Sequence, residues 1–200
     1  MSDIYQTLQG SASGIYKEKG SRFLAFAFPI ENEEEAKEHL AQLKKQFFDA
    51  KHHCYAYVTG FDGSQVRMSD DGEPSYTAGK PIYGQIIANH LTNILIVVVR
   101  YFGGTKLGVG GLLQAYKTAA ADCLSNAVIV EKNITERCFI SFNYADMNAV
   151  MKVLKDGNIK TEKHNFDMQC SLEFSVSRSV ATALLNKLTA AANSLSVTLL

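Results

Sequence analysis

The segment Arg100-Tyr-Phe-Gly-Gly-Thr-Lys-Leu-Gly-Val-Gly-Gly111 could do chemistry. Gly103, Gly104, Gly108, Gly110 and Gly111, five of the fourteen glycines in the chain, surround one lysine, Lys106. Glycines let backbone N–H groups approach an anion closely, and a following helix N-terminus adds partial positive charge. The spacing is not that of a P-loop, because Lys106 falls between the glycine groups. Nor does it supply the spaced third glycine of a dinucleotide fingerprint. Two readings stand: a phosphate or nucleic-acid site, or a loop that needs glycine for its own backbone. Arg100 favours the first, since it closes an apolar strand and would project at the rim of a sheet.

A second cluster lies in Met68-Ser-Asp-Asp-Gly-Glu-Pro-Ser75, where Asp70, Asp71 and Glu73 crowd together. Such oxygens suit a metal, but the spacing matches no calcium loop, and Ser-Asp-Asp-Gly also forms turns. The alternatives are a polar turn that orients Arg67, Lys80 or Arg100, or a partner contact. His52 and His53 precede Cys54, yet in a strand His53 and Cys54 point to opposite faces, which opposes a Cys–His nucleophile. His53 is instead expected at the rim of the same cleft or in a structural role. The aromatic set Tyr55, Tyr57, Tyr83, Tyr101, Phe102 and Tyr116 could stack bases or pack a core.

These residues need elements to hold them. The run Ile94-Leu-Ile-Val-Val-Val99 reads as a strand buried on both faces, and Leu112 to Leu124 as the helix after the glycine loop. Residues 1–14 read as a lead-in strand or arm, and Phe23 to Ile30 as a strand. Asn32 reads as the cap of an amphipathic helix with Glu33, Glu34 and Glu35 in its first turn and Ala36, Leu40, Leu43 and Phe47 on one side. Cys54 to Val58 and Gln65 to Met68 predict a hairpin around Phe61–Ser64. A polar loop, Ser69 to Lys80, then leads to a short helix with Pro81 at its first position. From Ile134 onward the order is strand, helix, strand, strand, helix, strand, which is the ferredoxin-like βαββαβ plan. The expected domains are 1–132 and 133–200.

Composition narrows the function classes. The chain has 200 residues, 46% apolar and 20% charged, with zero formal net charge. The two expected domains carry about −1 and +1, so any nucleic-acid binding must come from a local patch. Cys54, Cys123, Cys138 and Cys170 are widely spaced and read as buried free thiols of a reducing cytoplasm. The N-terminus has no secretory leader pattern, and no apolar run is long enough to span a bilayer. No residue set calls for a metal or cofactor.

The quoted motifs, with Lys19-Gly-Ser-Arg-Phe23, Ala50-Lys-His-His-Cys-Tyr-Ala-Tyr57, Thr77-Ala-Gly-Lys-Pro81 and Ala115-Tyr116, resemble the IMPACT/YigZ family over about residues 17–125. Tyr76 stands where that family commonly has glycine, and Gln114 where it commonly has arginine. The resemblance implies an α+β N-terminal domain similar to domain IV of elongation factor G and to GHMP kinases, followed by a ferredoxin-like domain. It implies a cytoplasmic, RNA- or ribosome-associated role in translation control, with RNA, the ribosome or a protein as partner. On this reading Arg67, Lys80, Arg100 and Lys106 meet phosphates beside the glycine amides. His53, Asp70, Asp71, Glu73, Thr77, Tyr101 and Tyr116 shape and orient the cleft. An enzyme acting on a small phosphorylated molecule at the same loop, or a protein-interaction module, are the alternatives.

Overall fold

The computed structural model describes residues 3–192 and 194–199. The described residues divide into two compact units, one of residues 4–132 and one of Asp3 with residues 133–192 and 194–199.

The first unit runs β1 (Ile4–Leu8), β2 (Ala12–Glu18), β3 (Ser21–Pro29), α1 (Glu33–Gln46), β4 (His52–Thr59), β5 (Gln65–Ser69), α2 (Gly79–Ala88), β6 (Ile94–Tyr101), α3 (Gly108–Ser125) and β7 (Ile129–Asn133). Five strands form one sheet in the order β2-β3-β6-β4-β5, with every neighbour antiparallel. β1 and β7 pair separately.

The central strand is β6, and Ile94 to Val99 are completely buried. One face of the sheet, with Phe23, Cys54, Ala56, Ile96 and Val98, packs under α2 and α3. The other face, with Tyr57, Leu95, Val97 and Val99, packs under α1. Helices on both faces explain why the strand lacks polar alternation although the sheet is antiparallel. Burying each large aliphatic side chain here stabilises the fold by about 1.5–3 kcal/mol. At α1 the Asn32 side chain accepts from the Glu35 N–H, and Ala36 and Leu43 are buried, as the capping and spacing predict.

Three boundaries differ from expectation. The lead-in holds two strands, because the alternation in β2 mixes small and polar residues; its first two residues lie outside the described residues. α2 starts at Gly79, ahead of Pro81, because a remote carboxylate caps it. α3 reaches back to Gly108, inside the glycine segment.

Two glycines serve packing and turn geometry. Glu18 pairs with Ser21, leaving Lys19 and Gly20 as a two-residue hairpin turn with φ of 44° and 80°. Gly103 lies against that turn, where a Cβ would overlap the backbone of Gly20 and Ser21.

The second unit runs β8 (Thr135–Asn143), a single 3₁₀ turn (Tyr144–Asp146), α4 (Met147–Asp156), β9 (Thr161–Phe166), β10 (Gln169–Ser177), α5 (Arg178–Ala191) and β11 (Ser196–Leu199). Its antiparallel sheet has the order β11-β8-β10-β9. Cys138, Ile140, Phe142, Leu172 and Phe174 pack with Val150, Leu154, Leu184 and Leu188 of the two helices. Arg137, Glu162, Lys163 and Glu173 form a set of ion pairs on β8, β9 and β10.

Gly103→Ala should cost about 2–4 kcal/mol through backbone overlap, whereas Gly110→Ala, with open space around it, should be neutral or slightly stabilising. Urea unfolding of the two variants checks this; equal stabilities would refute the close-approach reading.

Candidate functional site

The three carboxylates after β5 do three different jobs. Asp70 reaches across to the start of α2. Its Oδ1 accepts from the N–H groups of Ala78 and Gly79, each at 2.9 Å, and its Oδ2 accepts from Tyr76 N–H at 2.7 Å. It therefore caps a helix that has no local side-chain cap. Asp71 turns the opposite way. Its Oδ2 accepts from the His53 N–H at 2.6 Å, and its carbonyl lies 2.8 Å from His52 Nδ1.

Glu73 goes inward. Its Oε1 accepts from Arg100 Nη1 at 2.5 Å and from the Tyr116 hydroxyl at 2.8 Å. The side chains of Arg100 and Glu73 are 7% and 4% exposed, so this is a buried ion pair. The guanidinium also lies 5.4 Å from the Phe23 ring centre and 5.7 Å from that of Phe102. Cys54 Sγ is 3.1 Å from the Asp70 carbonyl oxygen and 3.2 Å from the Tyr116 oxygen. Burial pushes both the Cys54 thiol and the Tyr116 phenol far above their ordinary values. Neither ionises near neutrality, so neither serves as a nucleophile there.

This arrangement corrects several expected positions. Arg100 is not at a rim; it is buried and committed to Glu73. Arg67 pairs in register with Tyr57, on the sheet face that carries α1, and its Nη1 donates to Glu33 at 2.8 Å. It is thus across the sheet from α2 and α3. His53 is buried on that same far face, with Nδ1 4.0 Å from Asp71 Oδ2. Tyr101 is there too, donating to Asp49 at 2.7 Å. Thr77 is buried and its hydroxyl donates to the Pro74 carbonyl at 2.6 Å.

Lys80 and Gly110 line one cleft. A surface cleft of about 510 Å³ lies between the first turns of α2 and α3, with Lys80 and Pro81 from one helix and Val109, Gly110 and Leu113 from the other. Tyr76 and Ser75 close one end, and Gln114 and Lys117 continue the α3 wall. The lining contains two lysines and no carboxylate.

The glycine segment divides by role. Gly103 packs on the β2–β3 turn, and its N–H donates to Ser21 Oγ at 3.2 Å. Gly104 and Gly108 have positive φ, and Gly111 sits against Leu107. Lys106 is exposed on the way into α3. α3 has no side-chain cap and no acidic residue in its first turn, unlike α1, and unlike α2, whose N-terminus Asp70 fills. Lys117 escaped the sequence reading. Its signal was helical spacing, since it falls three residues after Gln114 and four after Leu113. Among the described residues no group of three His, Cys, Asp or Glu is arranged to hold a metal.

Glu73→Gln should cost about 3–5 kcal/mol, because Arg100 would keep a buried charge without its partner. Tyr116→Phe should cost only about 1–2 kcal/mol. Chemical denaturation separates the two, and a Glu73→Gln loss no larger than that of Tyr116→Phe would argue against a buried charge.

Burial holds His53 below its ordinary value near 6.5 against the pull of Asp71. The unfolded chain then binds the proton more readily, so stability is full above about pH 6.5 and declines as pH falls below it. His53→Gln should flatten that part of the stability profile between pH 7 and 5; an unchanged profile would show that His53 does not contribute.

A family model described as the Impact N-terminal domain matches residues 19–124. The chain is 33% identical over 153 residues to the IMPACT family member YvyE of Bacillus subtilis, covering 76% of this chain and 70% of that protein. It is 33% identical over 176 residues to an IMPACT family member of Haemophilus influenzae, with 86% and 84% covered. With the IMPACT family member YigZ of Escherichia coli it shares 35% over 145 residues, 70% and 71% of the two chains. A crystal structure of a protein described only as hypothetical aligns over 100% of this chain and 98% of its own, with a TM-score of 0.77 and 27% identity. The domain match spans more than half of the sequence, and the likeness extends over most of each relative. On these grounds the chain belongs to the IMPACT family.

Proposed function

We propose that this chain is a cytoplasmic translation-control protein that binds RNA, free or in the ribosome, at the cleft between α2 and α3. The observation that carries the reading is the contrast between the two helix starts. Asp70 neutralises one, while the other, two residues after the exposed Lys106, has no capping acid and gives Val109 and Gly110 to a cleft whose lining holds Lys80 and Lys117 and no acid. An uncapped helix N-terminus with nearby ammonium groups suits a phosphate. Arg100 and Arg67 leave the phosphate-binding set, and Lys117 joins it. Kinship with the IMPACT family supports a role in translation.

The strand order β11-β8-β10-β9, with two helices on one face, supports a ferredoxin-like second domain. The sheet with helices on both faces supports the likeness of the first unit to domain IV of elongation factor G and to GHMP kinases.

A small phosphorylated ligand is the second reading, because about 510 Å³ is a small-molecule volume. The raised Cys54 and Tyr116 values leave such a site without those groups as nucleophiles.

RNA affinity should fall as salt rises. Replacing Lys80, Lys106 and Lys117 together by Ala should make the log–log slope shallower by about 2, near 0.7 for each single-strand phosphate contact. Fluorescence anisotropy at several salt concentrations tests this. Salt-independent binding, or an unchanged slope in the triple variant, would overturn the assignment.

A further inference from the structure

Tyr76 occupies a backbone position that an aromatic residue has little reason to take. Its φ is +64°, in the left-handed region that glycine enters freely and bulky side chains enter at a cost. Burial does not repay that cost, since Tyr76 is 69% exposed. Nor is the residue on a slack loop. Its N–H is held by Asp70 Oδ2 at 2.7 Å, and the next N–H, that of Thr77, donates to the Pro74 carbonyl. The ring is therefore displayed from fixed backbone at the mouth of the cleft.

Its surroundings define what it could hold. Lys80 Nζ lies 5.8 Å from the ring centre. Val109 and Leu113, 59% and 38% exposed, form an apolar ledge on the first turns of α3 in the same cleft. Lys117 adds a second cation, and the lining has no acid. A partner must therefore offer a flat apolar face and negative charge within a few ångströms of each other. A nucleotide with an unstacked base does so: the base lies on the ring and ledge, and the flanking phosphates meet Lys80, Lys117 and the α3 amides. A duplex keeps its base faces stacked inside and cannot use the ring.

We infer that the cleft selects single-stranded RNA and stacks one unpaired base on Tyr76. The inference rests on the RNA reading above and adds the strand state and the stacking residue.

The test compares a short single-stranded oligoribonucleotide with a duplex of the same length, on the parent, Tyr76→Phe, Tyr76→Leu and Tyr76→Gly. Tyr76→Gly is the folding control, because glycine suits the positive φ, and its Tm should match or exceed that of the parent. Single-strand affinity should drop about 5- to 150-fold in Tyr76→Leu and Tyr76→Gly and be kept in Tyr76→Phe. Duplex affinity should change less than twofold in all three, and the salt slope should stay at the parent value because no charge is lost. Single-strand binding within twofold of the parent in the Leu and Gly variants, or equal losses for single strand and duplex, would overturn the inference. If the lysine variants still flatten the salt slope, the RNA reading survives that result; if they do not, both fall. Displacement by polyglutamate as effective as by polyuridylate would assign the cleft to an acidic protein chain and overturn the inference.

Discussion

One carboxylate oxygen, Glu73 Oε1, receives the Arg100 guanidinium and the Tyr116 hydroxyl inside the first unit. The three side chains come from the loop after β5, the end of β6 and the middle of α3. Neither charge could be buried without the other, since an unpaired ion in a protein interior costs several kcal/mol. The loop must therefore close over the end of the strand for the core to form. That closure holds Asp70 where it can take the first amides of α2, and so it sets where α2 begins. The cleft between α2 and α3 follows from these placements.

The closure also sorts the charges. Of the loop carboxylates, Glu73 turns inward, Asp70 caps α2 and Asp71 turns to the His53 amide, while Lys80, Lys106 and Lys117 stay in solvent. A chain of zero formal charge thus acquires a locally cationic recess without a basic domain. The second unit shows a different balance. There Arg137, Glu162, Lys163 and Glu173 pair with one another across β8, β9 and β10, so these four positions neutralise one another. Exposed pairs of this kind add little stability. Their effect is to leave no strong field of either sign at those strands.

Much of the secondary structure was legible locally. Asn32 with three glutamates announces α1, and six consecutive aliphatics announce β6. The second unit's βαββαβ order is readable because its strands and helices differ in period. The strands of the first 18 residues were less legible, because Ala12–Glu18 has only a small and partly polar buried side. The site was legible in outline only. The glycine segment marks the start of α3, but its glycines serve a turn, a close packing contact and an open helix end, and composition cannot tell these apart.

The sequence by itself determined the Asn32 cap of α1, the buried strand, the family signature and the absence of a bulk basic field. These depend on neighbours along the chain or on simple counts. Only the tertiary structure decided that Arg100 lies buried against Glu73, that Arg67 and His53 face away from the cleft, and that Lys117 faces into it. The reason is physical. The face a strand residue takes depends on register, and the burial of a charge depends on whether a distant partner arrives to neutralise it. Both are settled by contacts between residues far apart in the chain, such as Glu73 with Arg100 and Asp70 with Gly79.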